Sequence, residues 1–307
     1  MALLGYVVPA NAKFSRHIQV QSLVVMLAVL AIPQFTIAQT PCASGYTPPG
    51  AQSLGFKRVF CVVPSVSDIT TDDNPSYKLF SGSWYSANPT PMSFYSMAGS
   101  TLVIHSGGGV MTETRKSQPA ALPLLLGSSG FYAEFQVSLS GNDPDHFPAV
   151  WLMPQEHDVH KDDHMPGDPN LFERWMELDV DEGGYGRGNG MHGTMINWSG
   201  TYPNYEKTQK SVDPSFSVGM DRTQYHVYGL SYDPMAQRVT WWLDGTNAGS
   251  ISSQAVPSIV NSYHYYLIMG AQTHGAHKPY DMNVKYFGAW AGGDVPKPPS
   301  NVQMKTP

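Results

Sequence analysis

Four carboxylic acids stand close together in ERWMELDVDEGG, residues 173 to 184: Glu177, Asp179, Asp181 and Glu182. On a regular strand alternate side chains share a face. Glu177, Asp179 and Asp181 would then point one way and Glu182 the other. A row of like charges repels itself, so its members must share protons or find partners. One chemistry uses such a row. Cleavage of a glycosidic bond needs two carboxyls across that bond, about 5–5.5 Å apart when configuration is retained. A third acid between them holds the nucleophile's geometry and keeps the proton donor protonated. The plainer alternatives are a solvated acidic strand and a calcium site built from Asp179, Asp181 and Glu182.

Aromatic and histidine side chains accompany the acids. Trp175 lies two positions before Glu177 and shares its face by period two. Its indole is suited to stack on the CH-rich face of a sugar ring; a core position is the alternative. Trp151 lies on a dense apolar run and reads equally as core or as the floor of a sugar site. Trp241 and Trp242 are adjacent, so one faces in and one out. His192, in MHGTMINW, lies on the strand after the acids. In the polar stretch 155–172, His157, His160 and His164 stand with Asp162 and Asp163. Exposed clusters of this kind are more often solvated than metal-bound, and no metal is assigned. NWS at 197–199 fits an N-glycosylation sequon. A glycan on the substrate-facing strand would block it, so the match is read as chance. His274 and His277 stand close together in AQTHGAHKPY.

The elements that must carry these residues are strands. The chain has 307 residues, room for one large domain or two smaller ones. Charged residues make up 14 %, well below the usual quarter, while aromatics reach 12 % and Gly and Pro number 29 and 25. That is the composition of a turn-rich β protein working outside the cell. A net charge of -6 without a basic cluster argues against nucleic acid as a partner. Strand candidates recur from Tyr77 onward: TLVIHS (101–106), FYAEFQVSLS (131–140), FPAVWLMP (147–154), WMELDVDE, YHVYGLSYD (225–233), RVTWWLDG (238–245), YYLIMGAQ (265–272) and MNVKYFGAW (282–290). No helical periodicity runs longer than two turns. Many short strands at steady spacing predict an antiparallel sandwich or barrel. The stretches 155–172 and 200–222 read as loops.

LVVMLAVLAI (23–32), preceded by Arg16 and His17, is short for a membrane span. It fits the apolar segment of an export signal cleaved after Ala38, with an uncleaved anchor as the alternative. No membrane contact is expected after cleavage. Cys42 and Cys61 are the only cysteines, and in an exported chain they pair. The loop they close is worth roughly 3 kcal/mol of chain entropy. The expected organisation is a signal at 1–38, a disulfide-tied extension at 39–76, a main domain at 77–291 and a tail at 292–307. A monomer is expected.

WMELDVDE resembles the E-x-D-x-x-E signature of glycoside hydrolase family 16, and four further segments resemble that family's strands in the same order. GFYAEFQVSL is similar to its G-x-Y-E strand and FPAVWLMP to its W-P-A-x-W-L-x-P strand. YHVYGLSYDPMAQRVTWWLDG is similar to its F-H-x-Y…W-Y-V-D-G hairpin, and MNVKYFGAW to its closing strand. The likeness spans roughly residues 77 to 291. It implies an all-β fold, a β-jelly-roll sandwich of two antiparallel sheets with a concave cleft. It implies a secreted, retaining endo-β-glycosidase acting on a polysaccharide. A β-1,3-glucan or related β-glucan comes first, with agar- or carrageenan-type galactans, transglycosylation and glycan binding without turnover as alternatives. Glu177 becomes the nucleophile, Asp179 the assisting carboxylate and Glu182 the acid/base. Trp175, Trp151 and His192 become substrate-binding residues. No cofactor is called for, and a structural calcium cannot be read from the residues. The family's strand carries a bulge that returns Glu182 to the face of Glu177. Relatives usually have an apolar residue where this chain has Asp181. An unbulged strand with Asp181 as the acid/base therefore remains the rival register.

Overall fold

The computed structural model describes residues 42–86, 88–113, 122–157, 167–184, 188–274 and 278–293. Residues 1–41, His160, His164, Asp162, Asp163, His277 and the residues beyond Gly293 lie outside the described residues. The strands in chain order are β1 (Lys57–Val62), β2 (Ile69–Thr70), β3 (Leu79–Ser81), β4 (Tyr95–Ala98), β5 (Thr101–Ile104), β6 (Gly109–Met111), β7 (Leu125–Leu126), β8 (Phe131–Leu139) and β9 (Phe147–Pro154). They continue with β10 (Glu173–Glu182), β11 (Gly193–Thr201), β12 (Asn204–Val212), β13 (His226–Asp233), β14 (Arg238–Leu243), β15 (Thr246–Ile251), β16 (His264–Gln272) and β17 (Met282–Ala291).

They form two sheets. The eight-stranded sheet runs β15-β14-β13-β8-β17-β5-β4, with β1 also on β17. The nine-stranded sheet runs β12-β11-β10-β9-β16-β6-β3-β2, with β7 also on β16. All pairs are antiparallel except β2 with β3. The chain leaves the first sheet after β8, winds β9 to β12 as a meander, returns for β13 to β15, and crosses twice more. The strand pattern left a sandwich or a barrel open; the chain forms the jelly-roll sandwich that the resemblance implied. The alternating side chains Phe131, Ala133, Phe135, Val137 and Leu139 of β8 face the interior, where they meet Val150, Leu152, Met176, Leu178 and Val180 of the opposite sheet.

Two strands fall where sequence periodicity is silent. The stretch 200–222 contains β12, an edge strand polar on both faces, so no alternation marks it. β15 is likewise polar and is held by pairing with β14. The two tryptophans of β14 divide as period two requires. Trp241 is buried between the sheets, and Trp242 lies on the far side beside Tyr132.

Residues 42–76 pack into the same unit as the later strands. A disulfide joins Cys42 to Cys61, with Cα atoms 5.3 Å apart, and β1 adds to the eight-stranded sheet along β17. Under this segment Glu134 is 1 % exposed and accepts hydrogen bonds from the hydroxyls of Tyr132 (2.9 Å) and Tyr286 (2.8 Å). Burial pushes its carboxyl up, against those bonds. Among the described residues no helix is long and apolar enough to cross a membrane.

Candidate active site

The acids lie on β10, between β9 and β11. On the β9 side Leu178 pairs with Leu152 and Asp179 with Trp151; then Asp181 pairs with Val150 and Glu182 with Ala149. Val180 is an inserted residue, a β-bulge, and it resets the parity of everything after it. Met176, Leu178 and Val180 face the sandwich interior. Trp175, Glu177 and Asp179 face outward. Beyond the bulge Glu182 also faces outward, opposite Ala149, while Asp181 turns inward, opposite Val150. The register with Glu177, Asp179 and Glu182 on one face is the one adopted. Asp181 instead meets Arg222, whose Nη1 donates to its Oδ2 at 2.6 Å.

The three outward acids interact strongly. Glu177 accepts the indole N–H of Trp198 at 2.8 Å. Burial pushes its carboxyl up, while the Trp198 bond and the nearby Lys207 ammonium oppose the shift. Asp179 is 2 % exposed and shares a hydrogen bond with Glu182. Burial pushes it well above the carboxylate range, and the charges of Glu182 and Glu177 push further. Its Oδ2 is buried with no hydrogen-bond partner among the described residues, a situation a neutral carboxyl tolerates better than a charged one. Glu182 is pushed up to about 8 by burial and then by the Glu177 charge; the Asp179 bond and Lys207 pull the other way. Three carboxyls this close cannot all ionise at neutral pH, so the assembly holds protons and titrates as a unit.

Aromatic rings wall the outward face. Trp175 is on the same side as Glu177 but only 3 % exposed. His157 stacks on it at 3.6 Å with planes 10° apart, Trp198 lies parallel at 5.6 Å, and Tyr205 meets it edge-on at 4.8 Å. His157 also meets Trp84 edge-on, so this histidine of the 155–172 stretch stands over the wall. Trp151, directly opposite Asp179, is 4 % exposed in the apolar cluster under the same face. His274 meets Phe147 of that cluster at 4.3 Å. Half-exposed Trp198 is the ring that touches the acids, with Lys207 lying 5.1 Å over it. Neither was singled out from the sequence. Trp198 lies four positions after Thr194, an even number on β11, and that parity is the signal that could have found it.

His192 is also on the outward face. Its Nδ1 lies 2.6 Å from Asp213 Oδ1 and its Nε2 3.2 Å from Thr194 Oγ1. Thr194 pairs with Asp179 across the ladder. Asn197 of the NWS sequence pairs with the interior-facing Met176 and lines a cavity of about 520 Å3 with Met195, Thr208 and Lys210. It points away from the acid face, so a glycan there would not cover the acids. The argument from blockage does not hold.

No protein-family model matches the chain, and no curated protein matches it. Solved structures do. An endo-1,3-β-glucanase from Streptomyces sioyaensis is 15 % identical over 82 % of this chain and all of its own, with a TM-score of 0.49. The κ-carrageenase from Pseudoalteromonas carrageenovora, in complex with an oligotetrasaccharide of κ-carrageenan, is 12 % identical over 66 % of this chain and 84 % of its own, with a TM-score of 0.44. A GH16 protein of a mixed-linkage glucan locus of Bacteroides ovatus, in complex with a G4G4G3G product, is 15 % identical over 64 % of this chain and 84 % of its own, with a TM-score of 0.42. Likeness at this distance assigns no role to any residue; the chemistry of the site rests on the acids themselves.

Proposed function

We propose that the chain is a retaining endo-β-glycosidase acting on a polysaccharide. The observation that carries this reading is the bulge at Val180, which brings Glu177, Asp179 and Glu182 to one face. Burial pushes both glutamate carboxyls up, and their partners differ. Glu182 is pushed up to about 8, so it keeps a proton at neutral pH and donates it to the leaving oxygen. Glu177 is held by a Trp198 donor, which favours its charged form. Its carboxylate attacks the anomeric carbon as the leaving oxygen departs with the proton of Glu182. Glu182, now a base, takes a proton from water, whose oxygen displaces Glu177 and regenerates both groups. Asp179, hydrogen-bonded to Glu182, shares its proton and orients it. Trp198 and Tyr205 offer ring surface for the sugar, and His192 and Thr194 offer polar groups beside Asp179.

A β-1,3-glucan or related β-glucan is the first choice of substrate, on the resemblance of the acidic motif and its flanking strands; galactans come next. The disulfide and the apolar N-terminal run support export. The test is sugar release from a panel of laminarin, mixed-linkage glucan, agarose and carrageenan, with the anomer formed first read by proton NMR. Release of the β-anomer that depends on Glu177 is expected. A first-formed α-anomer overturns retention, and no release from any polymer overturns the reading.

A further inference from the structure

Asp181 is the acid that simple strand parity would put beside Glu177 and Asp179. It is 1 % exposed on the opposite side of β10. Its Oδ2 accepts Arg222 Nη1 at 2.6 Å, and its Oδ1 accepts Arg222 Nη2 at 3.0 Å and the backbone N–H of His192 at 3.2 Å. Arg222 is 4 % exposed and uses its other donors on the chain nearby. Nε donates to the Asn189 carbonyl at 2.9 Å, Nη2 also to the Gly190 carbonyl at 2.7 Å, and Nη1 reaches the Tyr228 hydroxyl at 3.4 Å. Its own backbone is held as well. Its N–H donates to Asn142 Oδ1 at 2.8 Å, and its carbonyl accepts Leu139 N–H at 2.7 Å. One guanidinium thus ties the strand just past the bulge to the turn that enters β11 and to β13.

A bulge allows a strand to slip by one residue, and a slip by one exchanges faces. In β10 a slip would trade Asp181 for Glu182 on the acid face. A buried carboxylate is stable only where its counter-charge is, and a two-pronged guanidinium fixes the carboxylate in position as well as in charge. We propose that Arg222, acting through Asp181, is a positioning residue that holds the strand beyond the bulge so that Glu182, and not Asp181, stands with Glu177 and Asp179. Its kinetic consequence rests on the glycosidase reading; its structural consequence does not.

The test removes both partners together, Asp181→Leu with Arg222→Met, so that no buried charge is stranded. Two readouts follow. The first is the 13C NMR titration of Asp179, measured with and without Glu182→Gln. The groups facing Glu182 are Glu177, Asp179 and Asp181 of its own strand, Lys207 of β12, and His192 just before β11, whose ring is tied to Asp213. Glu182→Gln should move the Asp179 titration in the otherwise wild-type protein and should leave it unmoved once the clamp is gone. The field of Asp181 is common to both members of each comparison and drops out. The second readout is sugar release. Here kcat should fall about tenfold to a hundredfold, as a displacement of about 1 Å costs, with KM changed less than about twofold. Arg222→Lys keeps the charge without the fork and should lose the coupling too, which keeps the test open if the double variant does not fold. A folded double or Lys variant in which Glu182→Gln still moves Asp179 as in wild type overturns the proposal, whatever its rate. If the wild-type protein releases no sugar, the glycosidase reading fails while the NMR comparison still decides the clamp.

Discussion

The indole N–H of Trp241 crosses the sandwich and donates to the backbone carbonyl of Asp179 at 2.7 Å. A bulge interrupts the ladder of the strand that carries it, and this bond meets a carbonyl one residue before the insertion. The approach needs Gly193: a Cβ there would sit 2.1 Å from the Trp241 ring. Trp241→Phe keeps most of the ring and removes the donor. A buried carbonyl left without a partner costs about 1–3 kcal/mol, so the urea midpoint should fall accordingly. Sugar release should fall further than stability alone explains, because Asp179 is the residue anchored. An unchanged midpoint would show that the bond contributes nothing.

The carboxyl assembly makes stability depend on pH. Glu182 is pushed up to about 8 in the folded chain from an ordinary value of 4.5, so the folded state holds its proton more tightly than the unfolded one. That contribution is fully present below the ordinary value and is lost as pH rises through about 8. The melting temperature should decline across this interval. Glu182→Gln cannot lose the proton, so its decline should be shallower. A wild-type curve flat from pH 5 to 8 would contradict the assignment.

On the proposed mechanism the two glutamates differ in their demand for a good leaving group. Glu177→Gln removes the nucleophile and should abolish release from every substrate. Glu182→Gln removes the proton donor, which is worth about 10²–10⁴-fold, but a dinitrophenyl glycoside leaves without protonation. On that substrate the first step of Glu182→Gln should remain close to wild type, seen as a burst of dinitrophenol. Equal losses on polymer and aryl glycoside would assign Glu182 another role.

Covalent pinning of the N-terminal segment is separable from chemistry. Replacing Cys42 and Cys61 together by Ser removes a cross-link spanning 19 residues, worth about 3 kcal/mol in the chain-entropy model. At roughly 2–4 °C per kcal/mol for a domain of this size, the melting point should drop by about 6–12 °C. The pH profile of sugar release should keep its shape, since Cys61 lies on β1 in the sheet opposite the acids.

The strand pattern was readable because its parity is local. β8, β9, β10 and β16 each announce themselves within ten residues, whereas the bulge was expected only from the resemblance of β10 and its flanking strands, with the unbulged register as its rival. What was not readable is pairing over distance. Arg222 lies 41 positions from Asp181, and nothing in its own neighbourhood marks it as the partner of a buried acid. β12 escaped because a polar edge strand has no alternation to show, and with it went Lys207. Trp175 was assigned to the right face, but its cover by His157, three residues past the end of β9, is a contact that no periodicity records.

Trp198 tests the same point chemically. Its N–H on Glu177 Oε2 stabilises the charged carboxylate and lowers its proton affinity against the effect of burial. Trp198→Phe removes that donor and leaves a ring for sugar contact. The Glu177 carboxyl should then bind its proton more tightly, so the acidic limb of the kcat profile moves to higher pH. The basic limb, set by Glu182, should stay near its wild-type position. The activity window narrows from the acid side, and the loss is largest at low pH and recovers in part as pH rises. A uniform loss at all pH values would assign Trp198 to sugar binding alone, and a downward shift of the acidic limb would reverse the role given to its hydrogen bond.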